Sequence, residues 1–265
     1  MPSIEILIIA DTHNEWPYSP ETPAPKVDAF IHCGDLTQYG GLSDFQRAID
    51  NIKVVDAELK LIIAGNHDVD IDPAWPDEFA EDEDDVEVGA NCLSLLRSQK
   101  EHGIHYLDEG THTFTLQDGR SFTVYASPYT PKFGTFASLY GKDDDRFNEG
   151  AHKMQEDVDI VISHGPPAFP PFEGYKLDVS ERDEHCGCEK LAKALERVKP
   201  RLACFGHIHK GRGAATMGWK AGKLWSEVDA ADQSVVPLSV KGDQTVLVNG
   251  AVFGEGRGWL VDFEA

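Results

Sequence analysis

Five short apolar runs, each ending abruptly in aspartate, asparagine or histidine, constrain this chain more than any other feature. "EILIIADTH" delivers Asp11 and His13, and "AFIHCGD" delivers Asp35. "LIIAGNHD" delivers Asn66, His67 and Asp68, "IVISHG" delivers His164, and "LACFGHIH" delivers His207 and His209. Apolar runs of this length bounded by glycine read as strands buried on both faces, as in parallel sheets. In an open α/β sheet, ligands bind where loops leave the carboxyl ends of the strands. If these strands are neighbours, their polar ends meet on one edge.

The remaining pattern is consistent with that frame. Strands are expected at Ile4–Ala10, Ala29–Cys33, Leu59–Ala64, Phe122–Ala126, Ile160–Ser163, Leu202–Phe205, Val246–Val248 and Trp259–Phe263. Helical spacing runs over Leu42–Ile52, with Ser43 as the expected N-cap, over Cys92–Lys100, and over Glu189–Val198, which Pro200 stops. Asp118-Gly119 is a hairpin turn signal between Thr113–Leu116 and Phe122–Tyr125. Early strands alternate with helices and later ones form hairpins, so an α/β fold with mixed sheets is expected. No repeat or Ser/Gly linker divides the chain, and residues 1–265 read as a single domain. Three stretches read as surface loops: Pro-rich 14–25, acidic 77–87 and aperiodic 222–243. The acidic run lacks the glycine and ligand spacing of an EF-hand, so a solvated loop is expected rather than a calcium site.

Composition excludes several partners. Forty-six acidic against 24 basic residues give a formal net charge of −22. That opposes binding to duplex nucleic acid or to anionic membranes, which depends on Lys and Arg neutralising phosphates. No stretch approaches the roughly 20 apolar residues of a membrane span, and the N-terminus lacks the basic leader of a signal peptide. Five cysteines in no framework spacing suggest reduced thiols and a cytoplasmic location. Cys186-x-Cys188 lacks a second pair at zinc-site spacing.

The polar strand ends offer carboxylates, an amide oxygen and imidazoles, and no thiolate. Such O/N donor sets suit manganese foremost, and iron, zinc, nickel or cobalt. Asp11, His13, Asp35, Asn66, His164, His207 and His209 are too many for one tetrahedral ion but suit a pair that shares a carboxylate. On extended chain, residues i and i+2 face the same side, so Asp11 and His13 can converge on one ion. Trp16, Tyr18, Tyr129 and Phe133 are loop aromatics available to stack a nucleobase, and Lys210 and Arg212 follow the last histidines as candidate substrate contacts.

The ordered series "DTH", "GD", "GNHD", "SHG" and "GHIH", spanning Asp11 to His209, resembles the calcineurin-like metallophosphoesterase superfamily. "FIHCGDLTQYG", "HCGCEKL", "VKPRLACFGHIHKGRG" and "VNGAVF" are similar to its metallophosphoesterase-domain-containing (Mpped-type) subfamily. The resemblance implies a four-layer αββα sandwich of two mixed sheets flanked by helices. It implies one divalent ion at Asp11, His13, Asp35 and His209 and a second at Asp35, Asn66, His164 and His207. His67 would serve as the acid near the leaving group, Asp68 would orient its ring, Asn66 and His67 would touch substrate, and Cys188 would be structural. The implied reaction is hydrolysis of small phosphodiesters, cyclic nucleotides included, by a metal-bridging hydroxide. "GDLTQYG" lacks the arginine that protein phosphatases of this superfamily carry after the bridging aspartate, and is closer to class III cyclic-nucleotide phosphodiesterases. Lys210 stands where the subfamily has an acid. A phosphomonoesterase, or a weakly active nucleotide-binding regulatory protein, remains open as an alternative, as does the oligomeric state.

Overall fold

The computed structural model describes residues 3–72, 74, 83–169, 174–219, 223–228, 236–239, 244–253 and 256–264. Its strands are β1 (Ser3–Ile9), β2 (Val27–His32), β3 (Ala57–Ile62), β4 (Ile104–Tyr106), β5 (Gly110–Thr115), β6 (Ser121–Ser127), β7 (Thr130–Pro131), β8 (Leu139–Tyr140), β9 (Ile160–Ser163), β10 (Leu202–Phe205), β11 (Gly213–Gly218), β12 (Lys223–Val228), β13 (Val236–Ser239), β14 (Gln244–Asn249) and β15 (Trp259–Glu264). Among the described residues they form a six-stranded sheet, β13-β15-β1-β2-β3-β4, and a seven-stranded sheet, β12-β11-β14-β10-β9-β6-β5; β7 and β8 pair separately. Both sheets are mixed. β1, β2, β3 and β4 run parallel, as do β6, β9, β10 and β14, whereas β15, β5 and β11 pair antiparallel with their neighbours β1, β6 and β14.

Side-chain alternation along each strand builds the layers. Ile4, Ile6 and Ile8 of β1 face the second sheet and meet Phe122, Val124, Ile160, Ile162, Leu202 and Val248 in the central core. Leu7 and Ile9 point the other way, toward Phe45, Ile49 and Ile52 of helix α1 (Leu42–Lys53) and Cys92 and Leu96 of α2 (Glu83–Arg97). On the far side, Val161, Ala203, Phe205 and Leu247 pack against Leu191, Ala192 and Leu195 of α3 (Glu189–Val198). The order is helix, sheet, sheet, helix, the four-layer αββα sandwich. Each fully buried Ile, Leu or Phe contributes about 1.5–3 kcal/mol of transfer free energy to holding the layers together.

Several local expectations are corrected. Helix α1 starts one residue before Ser43, and its N-cap is Gly41, whose N–H donates to Asp70 Oδ2 at 2.6 Å; Ser43 lies within the first turn. Residues 83–87 of the acidic run open α2 rather than a loop, and 77–82 lie outside the described residues. That helix ends at Arg97 and continues as a 3₁₀ turn over Ser98–His102. Within 222–243, two strands, β12 and β13, replace the expected loop; the rest of that stretch lies outside the described residues. Edge strands this short have a period too brief to register in sequence. Cys188 caps α3, its Sγ accepting from Leu191 N–H at 3.3 Å, while Lys199 ends the helix in a left-handed conformation before Pro200. No described helix is long and apolar enough to cross a membrane.

Candidate metal centre

The carboxyl ends of β1, β2 and β3 from one sheet and β9 and β10 from the other open onto a common edge. The sheets are joined there: Ala10 N–H donates to the Gly250 carbonyl at 2.8 Å, and Val252 N–H donates to the Ala10 carbonyl at 3.0 Å. The strand-end loops are laced to each other by main-chain bonds. Asp11 N–H donates to Gly34 O, His13 N–H to Asp35 O, and Gly206 N–H to His164 O, at 2.9–3.1 Å. Asp11, His13, Asp35 and His207 all sit at positive φ, between 44° and 68°. Asp, Asn and His tolerate that region better than other side chains do, yet each still carries a strain of order 1 kcal/mol. Gly206 and Gly65 leave room for the carboxylates: a Cβ at either position would lie 2.1–2.2 Å from an oxygen of Asp11 or Asp35.

Two donor clusters result. In the first, His209 Nε2 lies 3.4 Å from Asp11 Oδ1 and 3.2 Å from His13 Nε2, and His13 Nε2 lies 3.5 Å from Asp35 Oδ2. In the second, His164 Nε2 lies 3.4 Å from Asp35 Oδ1 and 2.9 Å from Asn66 Oδ1, while His207 Nδ1 lies 2.7 Å from the same amide oxygen. The sequence-predicted set is thus brought together, with Asp35 between the clusters. His164 Nδ1 lies 2.9 Å from the Cys33 carbonyl, which only accepts, so its hydrogen is there. A neutral His164 therefore turns an Nε2 lone pair on the Asn66 oxygen, an arrangement that a cation relieves. Asp35 outweighs burial and raises His164 to about 9. Burial tends to raise Asp35, but His164, His13 and His67 outweigh it and hold the carboxyl well below the usual range. Burial, then His164, lowers His207 to about 3. Carboxylate oxygens and imidazole nitrogens this close together and this dry fit divalent cations.

His67 lines the adjoining cavity, and its Nδ1 donates to the Gln38 carbonyl at 2.8 Å, leaving Nε2 as the free nitrogen. The expectation that Asp68 orients this ring is overturned. Asp68 is fully buried and accepts from Leu36 N–H (3.1 Å), Thr37 N–H (2.9 Å), Thr37 Oγ1 (2.8 Å) and Gly65 N–H (2.9 Å). Its carboxylate faces main-chain donors of the "GDLT" turn, so it clasps that turn to the "GNHD" turn and leaves the imidazole to a carbonyl. Burial, then the charge of Asp35, pushes Asp68 up to about 6.

Lys210 and Arg212 are also corrected. Lys210 pairs with Asp183 at 2.6 Å, and Arg212 is half-buried with its Nη1 donating to the Ala251 carbonyl at 2.6 Å; neither lines the cavity. The lysines that do are Lys132, Lys142, Lys190 and Lys193. Of the four candidate aromatics, Phe133 stands at the site, its ring 4.9 Å from that of His207. Trp16 packs on Tyr18 and Phe30, Tyr18 bonds to the Arg257 carbonyl, and Tyr129 lies under the Arg146 guanidinium. Three aromatics escaped the sequence reading: Tyr39 and Phe136 flank His67 at 5.9 and 4.9 Å, and Phe253 lies 5.0 Å from His13. Asn249 was missed too. Its Nδ2 donates to the carbonyls of Ile208 (2.9 Å) and Leu177 (3.0 Å), pinning the turn between His207 and His209. The signal was present, since "TVLVN" is a sixth apolar run ending in a polar side chain.

A sequence profile of the calcineurin-like phosphoesterase family matches residues 4–211. "Probable rhamnogalacturonate lyase C" of Emericella nidulans is 30% identical over 218 residues, covering 82% of this chain and 18% of its own. Human Metallophosphoesterase domain-containing protein 1 is 30% identical over 215 residues, covering 79% of this chain and 62% of its own. The chain thus spans less than two thirds of the length of either relative. A solved structure with 13% identity superposes at a TM-score of 0.55 over 95% of this chain and 91% of its own, a likeness of fold. On the profile match and the Asp11-to-His209 series together, the chain belongs to the calcineurin-like phosphoesterase family.

Proposed function

We propose that the chain is a dinuclear-metal phosphoesterase that hydrolyses small phosphodiesters, with cyclic nucleotides in its range. One ion is assigned to Asp11, His13, Asp35 and His209, the other to Asp35, Asn66, His164 and His207, with manganese foremost. The observation that carries this reading is the placement of Asp35, whose Oδ2 faces His13 at 3.5 Å and whose Oδ1 faces His164 at 3.4 Å, one oxygen toward each donor cluster. Bound divalent cations supply Lewis acidity, polarising the phosphoryl group and making water nucleophilic near neutral pH.

The protein's own groups do the rest. Asp35 Oδ1 also accepts from His67 N–H at 2.8 Å, which ties the acid's main chain to the shared carboxylate. His67 holds Nδ1–H on Gln38, and as an imidazolium it presents Nε2–H to the departing alkoxide. Such help is worth roughly 10²–10⁴ in rate. Tyr39, Phe133 and Phe253 are 72%, 38% and 45% exposed around the donors, a collar that suits an aromatic or nucleobase-bearing ester. The net charge of −22 favours a small diester over a duplex polyanion. Buried, unpaired Cys33, Cys92, Cys188 and Cys204 favour the cytoplasm.

The test is turnover of bis(p-nitrophenyl) phosphate and of a nucleoside diester by manganese-loaded protein. Asp35→Asn is expected to abolish both. His67→Ala should lower the nucleoside diester by about 10²–10⁴ and the p-nitrophenyl ester much less, because p-nitrophenolate leaves without a proton. Full activity in Asp35→Asn refutes the reading.

A further inference from the structure

We propose that the cavity beside the metal-binding cluster contains a second anion subsite, formed by His185 with Lys142, Lys190 and Lys193, so that preferred substrates carry a second negative group besides the scissile phosphodiester. This deepens the phosphoesterase reading and rests on it for the position of the first group. The cavity measures about 730 Å³, and one side of it is formed by Asp35, Asn66, His67, His207 and His209. The other side is built from segments without proposed ligands, the 140–142 turn and the 185–193 stretch. That volume exceeds the need of one phosphodiester group and suits a drug-sized or dinucleotide-sized ligand.

Charge separates this wall from the rest of the molecule. Acids outnumber bases 46 to 24 in the chain, yet the cavity lining holds four lysines against Asp35 and Glu189. With Asp35 facing the cations, Glu189 is the acid left to oppose them.

His185 is held in a way that a surface histidine seldom is. Its Nδ1 lies 2.7 Å from Oδ1 of Asp178, a fully buried carboxylate whose Oδ2 accepts from Gly187 N–H at 3.2 Å. The Cys186 N–H donates to the Asp178 carbonyl at 2.9 Å, and Val179 bridges His185. The buried carboxylate on Nδ1 fixes the ring, and Nε2 is the ring nitrogen left on a residue that lines the cavity. Lys190 is likewise positioned, its Nζ donating to the carbonyls of Asp144 (2.9 Å) and Lys142. A terminal phosphate, or a second phosphodiester of a short nucleotide chain, has the charge and acceptor geometry that these donors recognise.

The test compares kcat/KM of the manganese-loaded protein for thymidylyl-thymidine and for the same dinucleotide bearing a 5′- or 3′-phosphate. One phosphorylated form is expected to be preferred at least about tenfold, as charge-assisted bonds in a partly enclosed site imply. In Lys142→Ala/Lys193→Ala, which alters exposed side chains, and in His185→Asn, the preference should fall to within about twofold. A wild-type ratio within that range for both forms, or a preference that survives these variants, overturns the subsite. If wild-type protein turns over neither dinucleotide nor bis(p-nitrophenyl) phosphate with any divalent metal, the phosphoesterase reading has failed. Calorimetric binding of the same dinucleotides then decides the subsite: tighter binding of a phosphorylated form supports it, and equal binding overturns it.

Discussion

Replacing Asp68 by asparagine separates two jobs that a carboxylate following a histidine can do. If it aligned the His67 ring, the variant would lose rate and little stability. The structure places it as a clasp, with Oδ1 accepting from Thr37 N–H and Oγ1 and Oδ2 from Leu36 and Gly65 N–H. An asparagine NH₂ in either oxygen's place points a donor at a buried main-chain donor. One such unsatisfied N–H costs about 1–3 kcal/mol, and Asp68→Ala, which orphans three of them, about 3–9 kcal/mol. The turns joined by the clasp carry Asp35 and Asn66, so manganese affinity should fall along with stability. Urea unfolding of metal-free protein, manganese titration, and kcat on a nucleoside diester measure these separately. The result against the clasp would be an unchanged urea midpoint together with a rate loss equal to that of His67→Ala. A double-mutant cycle sharpens the point, because Asp68→Asn should destabilise the His67→Ala background just as much.

Two further predictions follow from packing and charge. Gly206→Ala sets a Cβ 2.1 Å from Asp11 Oδ2 and 2.4 Å from Ala10 Cβ; overpacking of this kind costs about 1–3 kcal/mol, and metal analysis should show depleted loading, whereas normal loading and melting would contradict the geometry. His32 is fully buried, its Nε2 lies 3.0 Å from Thr12 Oγ1, and burial lowers its pKa to about 4. An unfolded histidine titrates near 6.5, so the unfolded chain takes the proton first and stability declines as pH falls from about 6.5 to 4. The loss is about 2 kcal/mol by pH 5 and about 3 kcal/mol below pH 4. Denaturant titrations of metal-free His32→Leu should show a slope shallower than wild type by this amount, and identical slopes in the two proteins would refute the assignment.

Much of this was legible in the sequence for a physical reason. Strands such as β1 and β10 are covered on both faces, so their apolar runs are uninterrupted and the first polar residue marks where the sheet ends. Residues such as Asp11 and His207 were therefore visible as a set before their geometry was known. What was not legible depends on where neighbours lie in space. Lys210 follows a candidate ligand by one residue yet turns to Asp183, while Lys142 and Lys193, remote in sequence, line the cavity. Tyr39 and Phe253 sit in loops whose periodicity says nothing about direction. Asp68 follows His67 in the chain, and the sequence cannot show that its carboxylate turns back toward Thr37 and Gly65.

The proposed ligands come from two different sheets: Asp11, Asp35 and Asn66 follow strands of one, and His164, His207 and His209 follow strands of the other. An ion held between them would act as a rivet across the seam of the sandwich. Sliding of one sheet past the other by even an ångström would break the coordination of any ion held there. Metal affinity in such an architecture is also mechanical stiffness, and chelation should loosen the whole body of the protein far from the edge where the chemistry takes place.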